Sequence, residues 1–182
     1  MKKIVLTFGL IAGVIVVAMM FITMPFVMEG SMEHSELLGY TTMVIALSTI
    51  FIATKNYRDK HLAGTIKFGK AFLVGLYITL IAGVMYAAGW EVYMQLSGTD
   101  MQEFFKSYMN SEIKNMENAG ASIEKINSMV EESKAWMEMM KNPVVRFIAV
   151  MFMEIVPVGL IISLISAALL KKKNVSPVNA NN

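Results

Sequence analysis

The sequence predicts an all-α integral membrane protein, a four-helix bundle with an extracytoplasmic helical hairpin between spans three and four. Three observations predict it: four apolar runs of membrane-crossing length, basic residues gathered in alternate connections, and one long polar insert with helical periodicity. The composition agrees, because 55% hydrophobic residues in a chain of 182 and a mean hydropathy of +0.54 are too apolar for an ordinary soluble domain.

A hydrocarbon core about 30 Å thick is crossed by about 20 helical residues rising about 1.5 Å each. Runs near residues 4–27, 37–54, 71–90 and 144–170 meet that length within one membrane domain covering 1–182. Lipid offers the backbone no hydrogen-bond partners, so each run is expected to be helical. The first follows Met1, Lys2 and Lys3 and reads as a retained span rather than a cleaved signal, since its apolar stretch is long and lacks a small-x-small cleavage site.

The charges predict an orientation. Lys2 and Lys3, then Lys55, Arg58, Lys60, Lys67 and Lys70, then Lys171, Lys172 and Lys173 fall on one side. The alternate connections hold Glu29, Glu33 and Glu36, and then a stretch at 95–142 with eight acids and five lysines. By the positive-inside rule both termini are cytoplasmic, and Trp90, Tyr93 and Trp136 fall near the outer boundary, where amphipathic rings are favoured.

The insert repeats an apolar stripe at helical spacing: Phe105, Met109, Ile113 and Met116 in its first half, Ile123, Ile126, Val130 and Met137 in its second. Thr99 with Gln102 suits a capping box, Gly120 a helix end, and Ser122 followed by Glu124 the next helix start. The two apolar faces are expected to pack on each other, to lie on the outer leaflet or to receive a partner, mutual packing being the plainest outcome.

The chain has no cysteine, which excludes disulfides, thiolate metal sites and thiol nucleophiles. Eighteen methionines, including Met137, Met139 and Met140 in WMEMMK, raise copper(I) ligation, but their helical spacing reads as packing. His34 and His61 are isolated, so no metal and no cofactor are expected. Nucleophile elbow, Walker loop, zinc-type histidine spacing and paired catalytic acids are all absent from the sequence, so the expectation is a protein that is not an enzyme.

Within span four, FMEIVPVGLI keeps Glu154 and Pro157 inside an apolar run. Counting from Lys171 puts Glu154 about 25 Å from the cytoplasmic boundary; the same count puts Tyr86 about 24 Å deep and Tyr40 to Thr42 about 20–22 Å deep. Hydroxyl partners are therefore available at its level. A carboxyl there costs a few kcal/mol unless it is paired or hydrogen-bonded. Pro157 deprives the Met153 carbonyl of its amide partner, which predicts a kink beside the acid. Gly159, Ser163 and Ala167 recur every four residues, and Gly9 and Gly13 notch span one, spacings that let helices approach closely. Glu154 with Pro157, Gly159 and Tyr86 reads either as a structural hydrogen-bonding kink or as an intramembrane binding carboxylate. Glu91 and Arg146, near the outer interface, are placed to pair as a surface ion pair worth less than about 1 kcal/mol.

The segments KNYRDKHLAGTIKFGKAFLVGLYITLIAGVMYAAGW, Lys55 to Trp90, and MEIVPVGLIISLISAALLKKK, Met153 to Lys173, resemble a bacterial membrane family, domain of unknown function 4199. The resemblance covers nearly the whole chain. It makes Lys55, Asn56, Tyr57, Arg58, Asp59, Gly64, Phe68, Gly69, Lys70, Glu154, Pro157 and Gly159 the family-type positions and implies the bacterial inner membrane, with no assigned reaction. The residues Lys55, Tyr57, Arg58, Lys60, Lys67, Phe68 and Lys70 suit anionic lipid headgroups or a docking partner, at about 1 kcal/mol per basic group near a membrane. Nucleic acid is not an expected partner, because the basic residues follow membrane edges rather than one groove. The expected function is that of an accessory or scaffold protein with a membrane-protein partner or self-association. The alternative is a small oligomeric carrier or channel that uses Glu154.

Overall fold

The computed structural model describes residues 1–28, 35–98 and 100–172. Glu29, Glu33, His34, Thr99 and Lys173 lie outside the described residues. The described chain is helical without a strand, and four of its helical segments are long and apolar enough to cross a membrane: Lys2–Phe26, Leu37–His61, Phe68–Ser97 and Pro143–Leu170.

Span one is α1 (Lys2–Met28). Span two comprises α2 (Ser35–Leu47) and α3 (Thr49–His61), interrupted at Ser48. The hydroxyls there bond back to their own helix, Ser48 to the Val44 carbonyl and Thr49 to the Ala46 carbonyl at 2.7 Å each, which offers the backbone an alternative to its amide ladder. The apolar pattern alone closes this span at Thr54 and leaves Lys55 to Lys70 as a loop. Instead α3 continues to His61 and carries Lys55, Tyr57, Arg58 and Lys60 in its last turns. Lysine and arginine are good helix formers, and their charge suits a helix C-terminus.

Span three is α4 (Phe68–Ser97), and it forms the centre of the bundle. Against α1 it runs parallel: a methyl group added at Gly9 would meet Ile81, one at Gly13 would meet Met85, and one at Gly89 would meet Val17. Against the last span it runs antiparallel, with Gly75 beside Ser163, Thr79 beside Gly159, Gly83 beside Ile155, Tyr86 beside Glu154 and Glu91 beside Arg146. This register brings the start of α1, the end of α3, the start of α4 and the end of the last span to one end, where the lysines gather. Large apolar residues such as Leu6, Val14, Ile22, Ile45, Ile161 and Leu169 are exposed on the bundle surface, as residues facing lipid would be.

At the opposite end two helices join spans three and four. The first, α5 (Met101–Asn118), is capped by Asp100, whose side chain accepts from the Gln102 amide at 3.1 Å. The cap is thus one residue beyond Thr99, the position favoured by the sequence pattern, because a carboxylate caps as well as a hydroxyl and also suits the positive end of the helix. Gly120 takes a left-handed conformation with φ of 74°, and Ser122 then caps α6 (Ile123–Met140) through the Lys125 amide. Of the predicted stripes, Phe105, Met109, Ile113, Met116, Ile126, Val130 and Met137 are half-buried, while Ile123 is 78% exposed.

The last span starts with α7 (Pro143–Val150), capped by Asn142, which accepts from two amides while Pro143 occupies the first turn. A π-helical turn, Met151–Ile155, follows, and α8 (Val156–Leu170) completes the crossing. The distortion foreseen at Pro157 takes the form of this wider turn just before it, with the Val156 amide donating to the Met151 carbonyl. Proline cannot donate within the ladder, and a single turn of five-residue spacing is one way to absorb that mismatch.

Candidate functional site

Along α4 the packing changes partway. In the half nearer the lysines, a methyl added at Gly75 would collide with Ser163 and one at Gly159 with Thr79, so α4 and α8 touch almost backbone to backbone. Thr79 donates to the Gly75 carbonyl at 3.0 Å and Ser163 to the Gly159 carbonyl at 2.6 Å, so both buried hydroxyls are satisfied within their own helices. Ile50, Val74, Ile78 and Ala82 are fully buried beside this seam.

Farther along, long polar side chains replace the small ones. The Tyr86 hydroxyl donates to Oε2 of Glu154 at 2.8 Å, bridging α4 to the π-helical turn. Next, Arg146 of α7 forks onto Glu91, Nε to Oε1 at 2.7 Å and Nη2 to Oε2 at 2.5 Å, while its Nη1 donates to the Met140 carbonyl at 2.9 Å. The side chains are only 13% and 23% exposed, so this is a partly buried fork and not the surface pair the sequence pattern suggests. It ties α4, the end of α6 and α7 together.

Around these two contacts lies a cavity of about 500 Å³. From the spans it is lined by Met20 and Met24 of α1, Tyr40, Thr42 and Met43 of α2, Tyr86 and Trp90 of α4, and Arg146, Met153 and Glu154 of the last crossing. The connecting helices contribute Phe104, Phe105 and Tyr108 of α5 and Trp136 and Met140 of α6 to its wall. Phe104 meets Trp90 edge to face at 5.5 Å and packs on the core between the spans. Trp90 Nε1 is buried without a hydrogen-bond partner.

Of the four intramembrane candidates, the structure brings Glu154 and Tyr86 together in the cavity wall. Gly159 does not join them; it is buried in the seam against Thr79, because its lack of a side chain serves helix approach. Pro157 is exposed on the outside of the bundle. Tyr40 and Thr42 reach the cavity as their depth implies. The residues that sequence reasoning missed are those of the insert, Phe104, Tyr108 and Trp136 above all. Phe104 lies beside the apolar stripe through Phe105 rather than on it, and the available signal was the concentration of aromatic residues at the start of α5.

At the other end, the predicted lipid-contact set divides. Lys55, Lys60, Lys67, Phe68 and Lys70 are exposed. Tyr57 is buried, with Lys70 Nζ 5.8 Å from its ring centre. Arg58 turns inward: it pairs with Asp59 at 2.6 Å and reaches the Leu170 carbonyl at 3.4 Å, where α8 ends. Beside it, Ile66 and Lys172 exchange two backbone hydrogen bonds at 3.0 Å, pinning the loop after α3 to the end of α8. Among the described residues, no three of histidine, cysteine, aspartate and glutamate come together as a metal site.

No curated protein and no solved structure matches this chain. Residues 7–172 match one family, from the first span to the bridge that closes the last, and so take in the Tyr86–Glu154 contact and the cavity around it. The chain therefore belongs to the family described as protein of unknown function DUF4199.

Proposed function

We propose that this chain is a non-enzymatic accessory protein of the bacterial inner membrane that holds a small amphipathic molecule where its spans meet the α5 and α6 helices. The observation that carries this reading is the cavity of about 500 Å³, whose wall joins an intramembrane carboxylate to aromatic residues from the insert. Ligand pockets typically run to about 300–1,000 Å³, with mostly apolar walls and a few placed polar groups. Because α5 and α6 form part of the wall, an occupant would bias their position, and with it the surface offered to a membrane-protein partner or a second copy. The lysine-rich end faces the cytoplasm, with both termini, by the positive-inside rule. There Lys55, Lys60, Lys67, Phe68 and Lys70 meet anionic lipid headgroups, and nucleic acid is not a partner.

A second reading, a small oligomeric carrier using Glu154, draws on the π-helical turn, since such turns often mark functional positions. Against it stands the close seam of Gly75, Thr79, Gly159 and Ser163, which leaves no evident polar route from Glu154 to the lysine-rich end.

The test is gentle copurification of wild type and Glu154→Gln from native membranes, with mass spectrometry of retained lipids, small molecules and proteins. The accessory reading expects a stoichiometric small molecule that the variant loses. Recovery of the chain alone as a defined oligomer, followed by cation flux in proteoliposomes, would replace it with the carrier reading. Terminal tags reachable only from outside an intact inner membrane would overturn the orientation.

A further inference from the structure

The chemistry of the cavity wall narrows what it can hold. Seven of its twenty lining residues are aromatic, and they include both tryptophans of the chain, although aromatic residues make up only 10% of the sequence. The two lining side chains that can carry opposite charges are Arg146 and Glu154. Each Arg146 nitrogen is already engaged, two by Glu91 and one by the Met140 carbonyl, so its charge is answered within the protein. Glu154 receives one neutral hydrogen bond, from Tyr86, and has no cationic partner among the described residues. A carboxylate in apolar surroundings gains from an opposite charge, and aromatic faces attract cations through their quadrupoles. Both features favour the same kind of occupant, and neither favours an anion.

We infer that the cavity binds an amphipathic organic cation, an ammonium or similarly charged centre on an apolar body, with the charge against Glu154 and the body among Trp90, Phe104, Tyr108 and Trp136. This rests on the ligand-holding reading above and adds the sign of the ligand's charge. The Thr42 hydroxyl donates to the Leu38 carbonyl at 2.9 Å, so it keeps lone pairs for a cation and no free proton for an anion. The apolar body is required by the methionines Met20, Met24, Met43 and Met153, which line the remaining wall and offer no strong hydrogen bonds. The cation has two possible origins, the amine headgroup of a bilayer lipid or a free amphipathic cation, and both present the same chemistry to Glu154.

The experiment uses the full chain in a nonionic detergent and three probes of similar bulk: tetraphenylphosphonium, tetraphenylborate and neutral triphenylphosphine oxide. Calorimetric titration gives affinity, and emission from the two cavity tryptophans gives location. Tetraphenylphosphonium is expected to bind saturably, one per chain, and tetraphenylborate at least about tenfold more weakly. Glu154→Gln, which keeps shape and an acceptor for Tyr86, is expected to weaken the phosphonium about tenfold and leave the phosphine oxide unchanged. Trp136→Leu, outside the spans, keeps bulk but removes a π face, and is expected to weaken the phosphonium selectively without depending on how the Glu154 variant folds. Displacement of bound phosphonium by short-chain phosphatidylethanolamine, but not by phosphatidylglycerol of equal chain length, assigns the site to a lipid amine. Displacement by neither assigns it to a free cation.

Equal binding of phosphonium and borate, or undiminished phosphonium affinity in both variants, overturns the cation inference. If the phosphine oxide still binds saturably in that case, the ligand-holding reading survives it. If none of the three probes binds, both fall.

Discussion

Gly159→Ala tests the close seam on which the asymmetry of the bundle depends. The added methyl carbon would stand 2.8 Å from the Thr79 Cβ and nearer still to its methyl and hydroxyl, closer than unstrained atoms approach. Thr79 has little freedom to turn away, because it is fully buried and its hydroxyl is bonded to the Gly75 carbonyl. The helices must therefore part. Overpacking of this kind costs about 1–3 kcal/mol, and the helix-propensity gain of alanine over glycine returns about 0.5–1 kcal/mol. The net loss reaches about 2.5 kcal/mol at most, or about 10 °C in melting temperature for a chain of this size. Thermal unfolding in detergent measures it, with Gly69→Ala as control, since a methyl at Gly69 meets nothing within 4 Å and should leave stability unchanged or slightly raised. Adding Thr79→Ala removes the methyl and hydroxyl that clash, so the double variant should lose less than the sum of the singles. If Gly159→Ala melts with wild type and shows no coupling to Thr79, the helices are not in close contact there and the seam does not separate the cavity from the lysine-rich end.

Three further variants test the other contacts. Tyr86→Phe removes the hydrogen bond to Glu154 and should cost about 0.6–1.7 kcal/mol, the range for interhelical hydrogen bonds in membranes, read by the same unfolding assay. Glu91→Gln leaves the Arg146 guanidinium without its counter-charge in a partly buried place; a loss of about 1.5–3 kcal/mol is expected, and a change within error would show that the fork holds nothing together. Arg58→Ala releases the end of α8, so hydrogen exchange at the Ile66 and Lys172 amides should quicken while exchange at the cavity end of α4 stays unchanged; equal rates in variant and wild type would dismiss Arg58 as a latch.

What could be read from the sequence, and what could not, follows the range of the interactions involved. Crossing length is a local property, so four apolar runs were legible without tertiary knowledge. Depth along a span is nearly as local, because every residue adds about 1.5 Å, and a count from two lysines was enough to put Tyr86 level with Glu154. The small-residue spacings at Gly9, Gly13, Gly159 and Ser163 were legible for a related reason: small residues let helices approach whatever faces them, and here Ile81, Met85 and Thr79 fill the room at the three glycines while Ser163 fills that at Gly75.

The cavity was not legible, because part of its wall comes from a polar insert whose docking is a tertiary event. Periodicity identifies a stripe through Phe105 and Met109, yet it is Phe104, one residue off that line, that meets Trp90 at 5.5 Å, since the face of a helix that docks on other elements is set by tertiary contact and not by its own repeat. The same blindness made Arg146 and Glu91 look like a surface pair, when the end of α6 covers them and supplies the Met140 carbonyl. Glu154 itself is left with one hydrogen bond, from Tyr86, and no cationic partner among the described residues. The insert brings aromatic faces but no cation to the cavity wall, while the arginine in that wall is held by Glu91 and the Met140 carbonyl. The insert thus adds rings to the wall that holds Glu154, an arrangement suited to a positive charge on an apolar body.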